Sequence, residues 1–230
     1  MKVTEYDRRE RHRDRSLVGN TIPRLMETIK PDWVVVDVGG GGCPFNRADY
    51  VVDIRAFNEE GGNNSYGPKK PRFTKDTYIQ QDICSTRLPF PDKSIDFAIC
   101  SHTLEDIREP LLPCAEMIRV AKRGYIECPS RIIESIMNLD HPRVAGSPHH
   151  RWFVELLDGG LIFTFKSGFI YSGQEYVLPN KLLGRVKSGD RVMKLWWEDS
   201  FVFAERIHLH GNAALGEQRE FVQRIRKQYE

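Results

Sequence analysis

The stretch WVVVDV at 33–38 is apolar at consecutive positions instead of alternate ones, and it runs straight into four glycines, Gly39 to Gly42. Successive side chains of a strand point to opposite faces, so a strand that is apolar on both faces must be covered on both. That requirement confines the chain to a sheet with layers above and below it. YVVDI (50–54), YIQQDI (78–83), IDFAICS (95–101) and GYIEC (124–128) are further short runs of the same kind. SLVGNTIPRLMETIK places Val18, Ile22, Leu25, Met26 and Ile29 at helical spacing, and LLPCAEMIRVAK reads as a second helix. Strand and helix alternate, which predicts an α/β fold with a largely parallel sheet.

The pattern changes after Pro129. RIIESIMNL reads as a helix, DHPRVAGSPHH as a loop, and RWFVELLDGGLIFTFK as two strands joined at Asp158, Gly159 and Gly160, a hairpin signal. VMKLWWEDSFVFAERIHL reads as another pair of extended segments around Glu198 and Asp199, so the last third should add antiparallel strands. The final EQREFVQRIRKQYE reads as an exposed charged helix, and AFNEEGGNNSYGPKKPRF as a long irregular loop.

A chain of 230 residues, 40% hydrophobic, can bury one substantial core, so 1–230 reads as one domain. The net charge of +2, from 34 basic and 32 acidic residues, argues against a protein that tracks a phosphate backbone. RRERHRDR could contact phosphates, but its interleaved acids fit a solvated helix better. No run approaches the roughly 18 apolar residues of a membrane span, and the N-terminus lacks an apolar signal core, which predicts a soluble, cytoplasmic protein with no membrane partner. Cys43, Cys84, Cys100, Cys114 and Cys128 form no C-x-x-C pair and read as reduced thiols.

The glycine run fits neither common phosphate loop. No Lys followed by Ser or Thr comes after Gly42, and G-x-G-x-x-G fails in both registers because Pro44 or Phe45 stands at the third glycine. Asp37 at the strand end suits a ligand with an ammonium group better than a pyrophosphate. The pattern present is D-x-G-x-G, with Asp37, Gly39 and Gly41, and here the chain resembles the class I S-adenosylmethionine-dependent methyltransferases. Asp53 ends the second strand, where an acid accepts hydrogen bonds from both ribose hydroxyls. LPFPDKSIDFAICSHTLEDIREP is similar to the family's Pro-Phe-x-Asp-x-Ser-x-Asp segment followed by His-x-Leu-Glu, and the likeness is closest to the type 11 small-molecule branch over about residues 20 to 128. Cys43 stands where the family has a third loop glycine, and the turn before the fifth strand is shortened to Lys122, Arg123 and Gly124.

This resemblance implies a Rossmann-like, doubly wound fold with a seven-strand-type sheet. Residues 16–128 would form the cofactor core, and 129–230 the acceptor-site and sheet-completing segments. It implies S-adenosylmethionine as cofactor, held by Asp37, Gly39, Gly41, Asp53, Ile54, Asp82, Ile83, Ser101 and His102, with Asp82 and the Ile83 backbone reading the adenine amino edge while Ile83 packs on the ring. His102 reads as a structural side chain beneath the cofactor. The implied reaction is methyl transfer to an O or N nucleophile of a small molecule, of sugar or natural-product type. A sulfonium is already an activated leaving group, so positioning dominates and a base is needed only for a protonated nucleophile.

His149 and His150 follow the parallel sheet, where the family's acceptor site lies, and are the candidates for base or acceptor-binding group. As neighbours in an extended segment they would point to opposite faces. Arg151 and Trp152 could add a charge and an aromatic wall, or Trp152 could be core. Asp140, His141 and His149 match no recognised metal motif, and the sequence assigns no metal. Other readings are a methyltransferase-like scaffold without turnover, an RNA or protein methyltransferase, and a nicotinamide-dependent oxidoreductase, the last opposed by the glycine spacing.

Overall fold

The computed structural model describes residues 21–57 and 65–230. The RRERHRDR segment, the first turn of the predicted N-terminal helix and part of the long loop lie outside the described residues. The first helix is α1 (Thr21–Thr28), followed by β1 (Val35–Val38), β2 (Tyr50–Asp53), β3 (Tyr78–Gln80) and β4 (Phe97–Ser101). Then come α2 (Leu111–Val120), β5 (Arg123–Pro129) and the short α3 (Arg131–Glu134). The last third holds β6 (Trp152–Leu157), β7 (Gly160–Phe165), β8 (Val192–Glu198), β9 (Val202–Arg206) and α4 (Gly211–Tyr229).

The central sheet runs β3-β2-β1-β4-β5-β8. Its first five strands are parallel, and β8 closes it antiparallel to β5. Both faces of β1, β4 and β5 are buried, as the double-sided apolar runs predict, while the edge strand β3 is only partly covered. Val35, Phe97, Ile99 and Tyr125 pack with Leu25 of α1 and with Ile29, while Val36, Ala98, Cys100 and Ile126 face Cys114, Met117 and Val120 of α2. Truncating a fully buried side chain such as Met117 costs about 2–5 kcal/mol through lost transfer energy and the cavity left behind.

Two expectations about the last third need correction. The sheet has six strands among the described residues, not seven, and of the C-terminal strands only β8 joins it. The others form a separate sheet, β6-β7-β9, in which β7 and β9 run parallel. β8 and β9 are consecutive yet belong to different sheets, because Asp199 at φ 61° and the Glu198–Ser200 bridge turn the chain before pairing can continue. The small sheet buries Trp152, Val154, Leu161 and Phe163 in the core shared with α2. The hairpin is as read: Asp158 and Gly159 both have positive φ, as a two-residue primed turn requires.

The helix expected over 131–139 is a single turn, started by Ser130, whose hydroxyl accepts the Ile133 N–H. Beyond it Ile136 and Met137 bridge to Leu178 and Ala145, so tertiary pairing displaces the helical pattern. The C-terminal helix starts earlier than expected and is docked, burying Gln218, Phe221, Val222, Ile225 and Tyr229. Arg131 fastens it: the buried guanidinium donates to Glu155, Glu217 and Gln218 and lies over the rings of Phe153 and Phe221. Burial alone would raise the Glu217 carboxyl, but Arg131 and His208 outweigh it and hold the group down at about 2.

Candidate cofactor and acceptor site

β1 leads into a loop made from backbone. Gly39 has φ 80°, its N–H donates to the Val52 carbonyl, and a Cβ there would overlap Thr103, whose hydroxyl donates to the Gly39 carbonyl at 3.0 Å. Gly40 to Gly42 form one tight turn. Gly41 donates its N–H to Asp53 Oδ2 at 3.0 Å, and a side chain at Gly41 would meet the Asp53 carboxylate. The glycines thus let the loop fold down onto the ends of β1 and β2.

Asp37 is buried and accepts the Phe45 N–H at 2.8 Å. Burial pushes its carboxyl up to about 7; the Phe45 bond works against the shift and the charge of Asp53 adds to it. Asp53 ends β2 and accepts two backbone N–H groups, Gly41 on one oxygen and Arg55 at 2.7 Å on the other. Each oxygen keeps a second lone pair. Ile54 beside it is exposed at 61%, an uncommon position for a large aliphatic side chain.

Asp82 lies beyond β3 and is more committed than the sequence suggests. It accepts from Cys84 N–H and the Ser85 hydroxyl and pairs with Arg108 at 2.6 Å. The Arg108 bond, with the Cys84 N–H, holds its carboxyl at about 2. The Ile83 side chain, expected to pack on the adenine ring, sits in the core cluster at 6% exposure. Ile54 presents open apolar surface at this end of the sheet.

Ser101 ends β4 opposite Glu127 of β5, and His102 follows at φ 52°, a conformation uncommon for a residue with a side chain. The His102 ring lies 3.3 Å from Glu127 and 3.6 Å from Glu105, both carboxylates buried. Burial alone would lower the imidazole, but the Glu105 and Glu127 carboxylates beside it win and hold it up at about 9. Glu127 also bonds the Tyr125 hydroxyl. His102 is therefore held between two buried acids.

The second group of side chains gathers around His149 and His150. The turn from Ser147, where the His150 N–H donates to the Ser147 carbonyl, breaks the extended path assumed from sequence and brings both rings to one side, with centroids 4.5 Å apart. Asp106 Oδ1 stands 3.6 Å from His149 Nε2 and 3.5 Å from His150 Nε2. His150 is largely buried, and its Nδ1 is 2.8 Å from Glu134, which pairs at 2.6 Å with the buried Lys166. Burial opposes charge on the His150 ring, yet the Glu134 bond and the surrounding acids raise its pKa. Arg151 and Trp152 donate their N–H groups to the Glu105 carbonyl, which ties this segment to the loop after β4. Trp152 is core and Arg151 is exposed. Asp140 bonds Ser147, and His141 accepts the Arg143 N–H.

Asp106, Glu134, Lys166, Thr103 and Arg108 are absent from the sequence reading. The one available signal is that Asp106 directly follows the His-x-Leu-Glu stretch. Glu134 and Lys166 belong to segments far apart in the chain and carry no local mark. The LPFPDKSID segment, by contrast, serves scaffolding: Arg119 donates to the Leu88 and Phe90 carbonyls, Glu116 accepts the Leu88 N–H, and Asp96 accepts the Val34 N–H.

Residues 50–126, which hold β2 to β4 and the start of β5 with Asp53, Asp82, Ser101, His102 and Asp106, match the type 11 family model described as "Methyltransferase domain". Over these residues the chain is similar to that methyltransferase family. No curated protein matches the chain in sequence. Among solved structures, the YcgJ protein of Bacillus subtilis is 17% identical with a TM-score of 0.32, over 47% of this chain and 50% of that one. An S-adenosylmethionine-dependent methyltransferase from Mesorhizobium loti is 18% identical with a TM-score of 0.35, over 63% of each chain. One from Aquifex aeolicus is 19% identical with a TM-score of 0.32, over 55% of this chain and 75% of that one. The chain thus spans half the length of the first and under two thirds of the second.

The matched family implies S-adenosylmethionine as cofactor, and the residues present fit it. The ends of β1 and β2 offer a left-handed Gly39, side-chain-free backbone at Gly41, spare acceptor capacity on Asp53 and the open apolar face of Ile54. Among the described residues, no helix is long and apolar enough to cross a membrane.

Proposed function

We propose that the protein transfers a methyl group from S-adenosylmethionine to an O or N nucleophile of a small molecule, of sugar or natural-product type. The observation that carries this reading is the convergence of Gly39, Gly41, Asp53, Ser101 and His102 at the carboxyl ends of β1, β2 and β4. There the strand order reverses, and open α/β sheets bind ligands at such a point. When bound, the cofactor supplies a methyl group on a cationic sulfur. Asp37 and the glycine backbone receive its amino acid end, Asp53 the ribose hydroxyls, Ile54 the adenine face, and the Ile83 backbone with Asp82 the adenine edge. Asp82 does so in exchange for part of its Arg108 pairing.

His149, half exposed, and His150 beneath it serve as acceptor-binding groups next to the loop that follows β4. Glu134 holds the His150 ring through Nδ1, so His150 acts by position. His149 is the member of the pair that meets the acceptor, with Asp106 between the two. A modest net charge of +2 supports a small acceptor over RNA.

The test is calorimetric titration with S-adenosylmethionine and S-adenosylhomocysteine, with NADH as control and Asp53→Ala as the paired variant. Micromolar binding of both sulfur ligands, lost in Asp53→Ala and absent for NADH, is the expected result. No binding to the wild-type chain would overturn the reading and favour a scaffold without turnover.

A further inference from the structure

We propose that Asp106, His149 and His150 form a binding site for a single first-row transition-metal dication of the zinc class, set beside the loop that follows β4. The three ligand atoms lie within 4.8 Å of one another. Asp106 Oδ1 stands 3.6 Å and 3.5 Å from the two imidazole Nε2 atoms. Those separations are long for hydrogen bonds, and this buried oxygen accepts none. They are close to the edge of a tetrahedron, since metal bonds of about 2.0–2.1 Å put neighbouring ligand atoms roughly 3.4 Å apart. The geometry suits an ion at the centre better than direct contact among the three groups.

The surroundings are built as a metal site requires. His150 Nδ1 is held at 2.8 Å by Glu134, leaving Nε2 to face Asp106; a carboxylate behind a histidine fixes the ring and strengthens it as a ligand. Glu134 is in turn fixed by Lys166, which also donates to the Ser147 carbonyl within the turn that carries both histidines. The lysine thus sets the acid and the turn together. Two imidazoles and one carboxylate select zinc, cobalt or iron over magnesium and calcium, which prefer all-oxygen shells. Three protein ligands leave a fourth position open, the arrangement of sites that take up water or a substrate oxygen.

The open position gives the acceptor site a chemical preference, for a small molecule that presents an oxygen to the ion. This part rests on the methyl-transfer reading; the binding of the ion does not.

The experiment uses chelator-treated, full-length protein without cofactor. Calorimetry with Zn2+ should give one equivalent bound per chain, and Co2+ should show the intense visible absorption of a tetrahedral ion. His149→Ala and Asp106→Asn should each weaken Zn2+ binding at least about tenfold with little change in the apo melting temperature, while Cys43→Ser and Cys84→Ser keep it. Absence of stoichiometric Zn2+ binding, binding that survives both ligand substitutions, or binding lost with the thiols would each overturn the proposal. Mg2+ competing as well as Zn2+ would overturn the choice of ion class. Titrating the same samples with S-adenosylhomocysteine separates the two readings: zinc without the sulfur ligand removes methyl transfer only, and the sulfur ligand without zinc removes this site only.

Discussion

Asp37 should make the protein less stable as pH rises through the range where most carboxylates have finished titrating. Its folded-state pKa is about 7 against an unfolded value of 3.8, so between these values the folded chain keeps a proton that the unfolded chain has released. The stability contributed by that proton is present in full below about pH 4 and lost as pH rises to 7. A gap of about three pH units at about 1.4 kcal/mol per unit makes the loss roughly 4 kcal/mol. Asp37→Asn keeps an oxygen for the Phe45 N–H and removes the ionisation. Urea unfolding of both proteins at half-unit steps from pH 4 to pH 8 isolates this residue, because every other titrating group is common to the pair. The curves should lie close together at pH 4 and diverge until the variant is the more stable by several kcal/mol at pH 8. A constant difference across the range, or a variant that loses ground as pH rises, would refute the argument that burial controls this carboxyl. Saturating S-adenosylhomocysteine should flatten the wild-type slope, since its ammonium favours the ionised form.

His102 should remain an imidazolium past neutrality, with its NMR ring signals shifting near pH 9. The stability this raised pKa contributes is complete below about pH 6.5 and disappears as pH passes 9. Arg131→Ala leaves Glu155 and Glu217 without their shared cation and should cost about 3–5 kcal/mol in chemical denaturation. Gly39→Ala forces a side chain into left-handed backbone against Thr103; calorimetry should find cofactor binding abolished and thermal melting a loss of at least ~1 kcal/mol.

The parallel strands are legible in the sequence because burial on both faces leaves uninterrupted apolar runs, and WVVVDV carries that mark without help from the rest of the chain. The glycine loop is legible for a similar reason: four residues without side chains require a close approach, met here by Thr103 and Asp53. Pairing in the last third is not legible. Alternation in VMKLWWE and FVFAERI specifies strands but not partners, and Asp199 sends β8 and β9 to different sheets. The acceptor cluster is half legible. His149 and His150 stand out by type, but their orientation depends on a turn at Ser147, and Glu134 and Lys166 acquire meaning only when the hairpin folds back against α3.

One turn of helix holds two anchors of opposite purpose. Arg131 at its start grips the C-terminal helix, and Glu134 at its end grips His150 and Lys166. A rigid lever four residues long therefore joins the far end of the chain to the acceptor cluster. Lifting α4, whether by a fused tag, a competing surface or a substitution at Phe221, tugs on the histidines without touching them. Readouts at His149 and His150 thereby become a distant gauge of whether the last helix is seated.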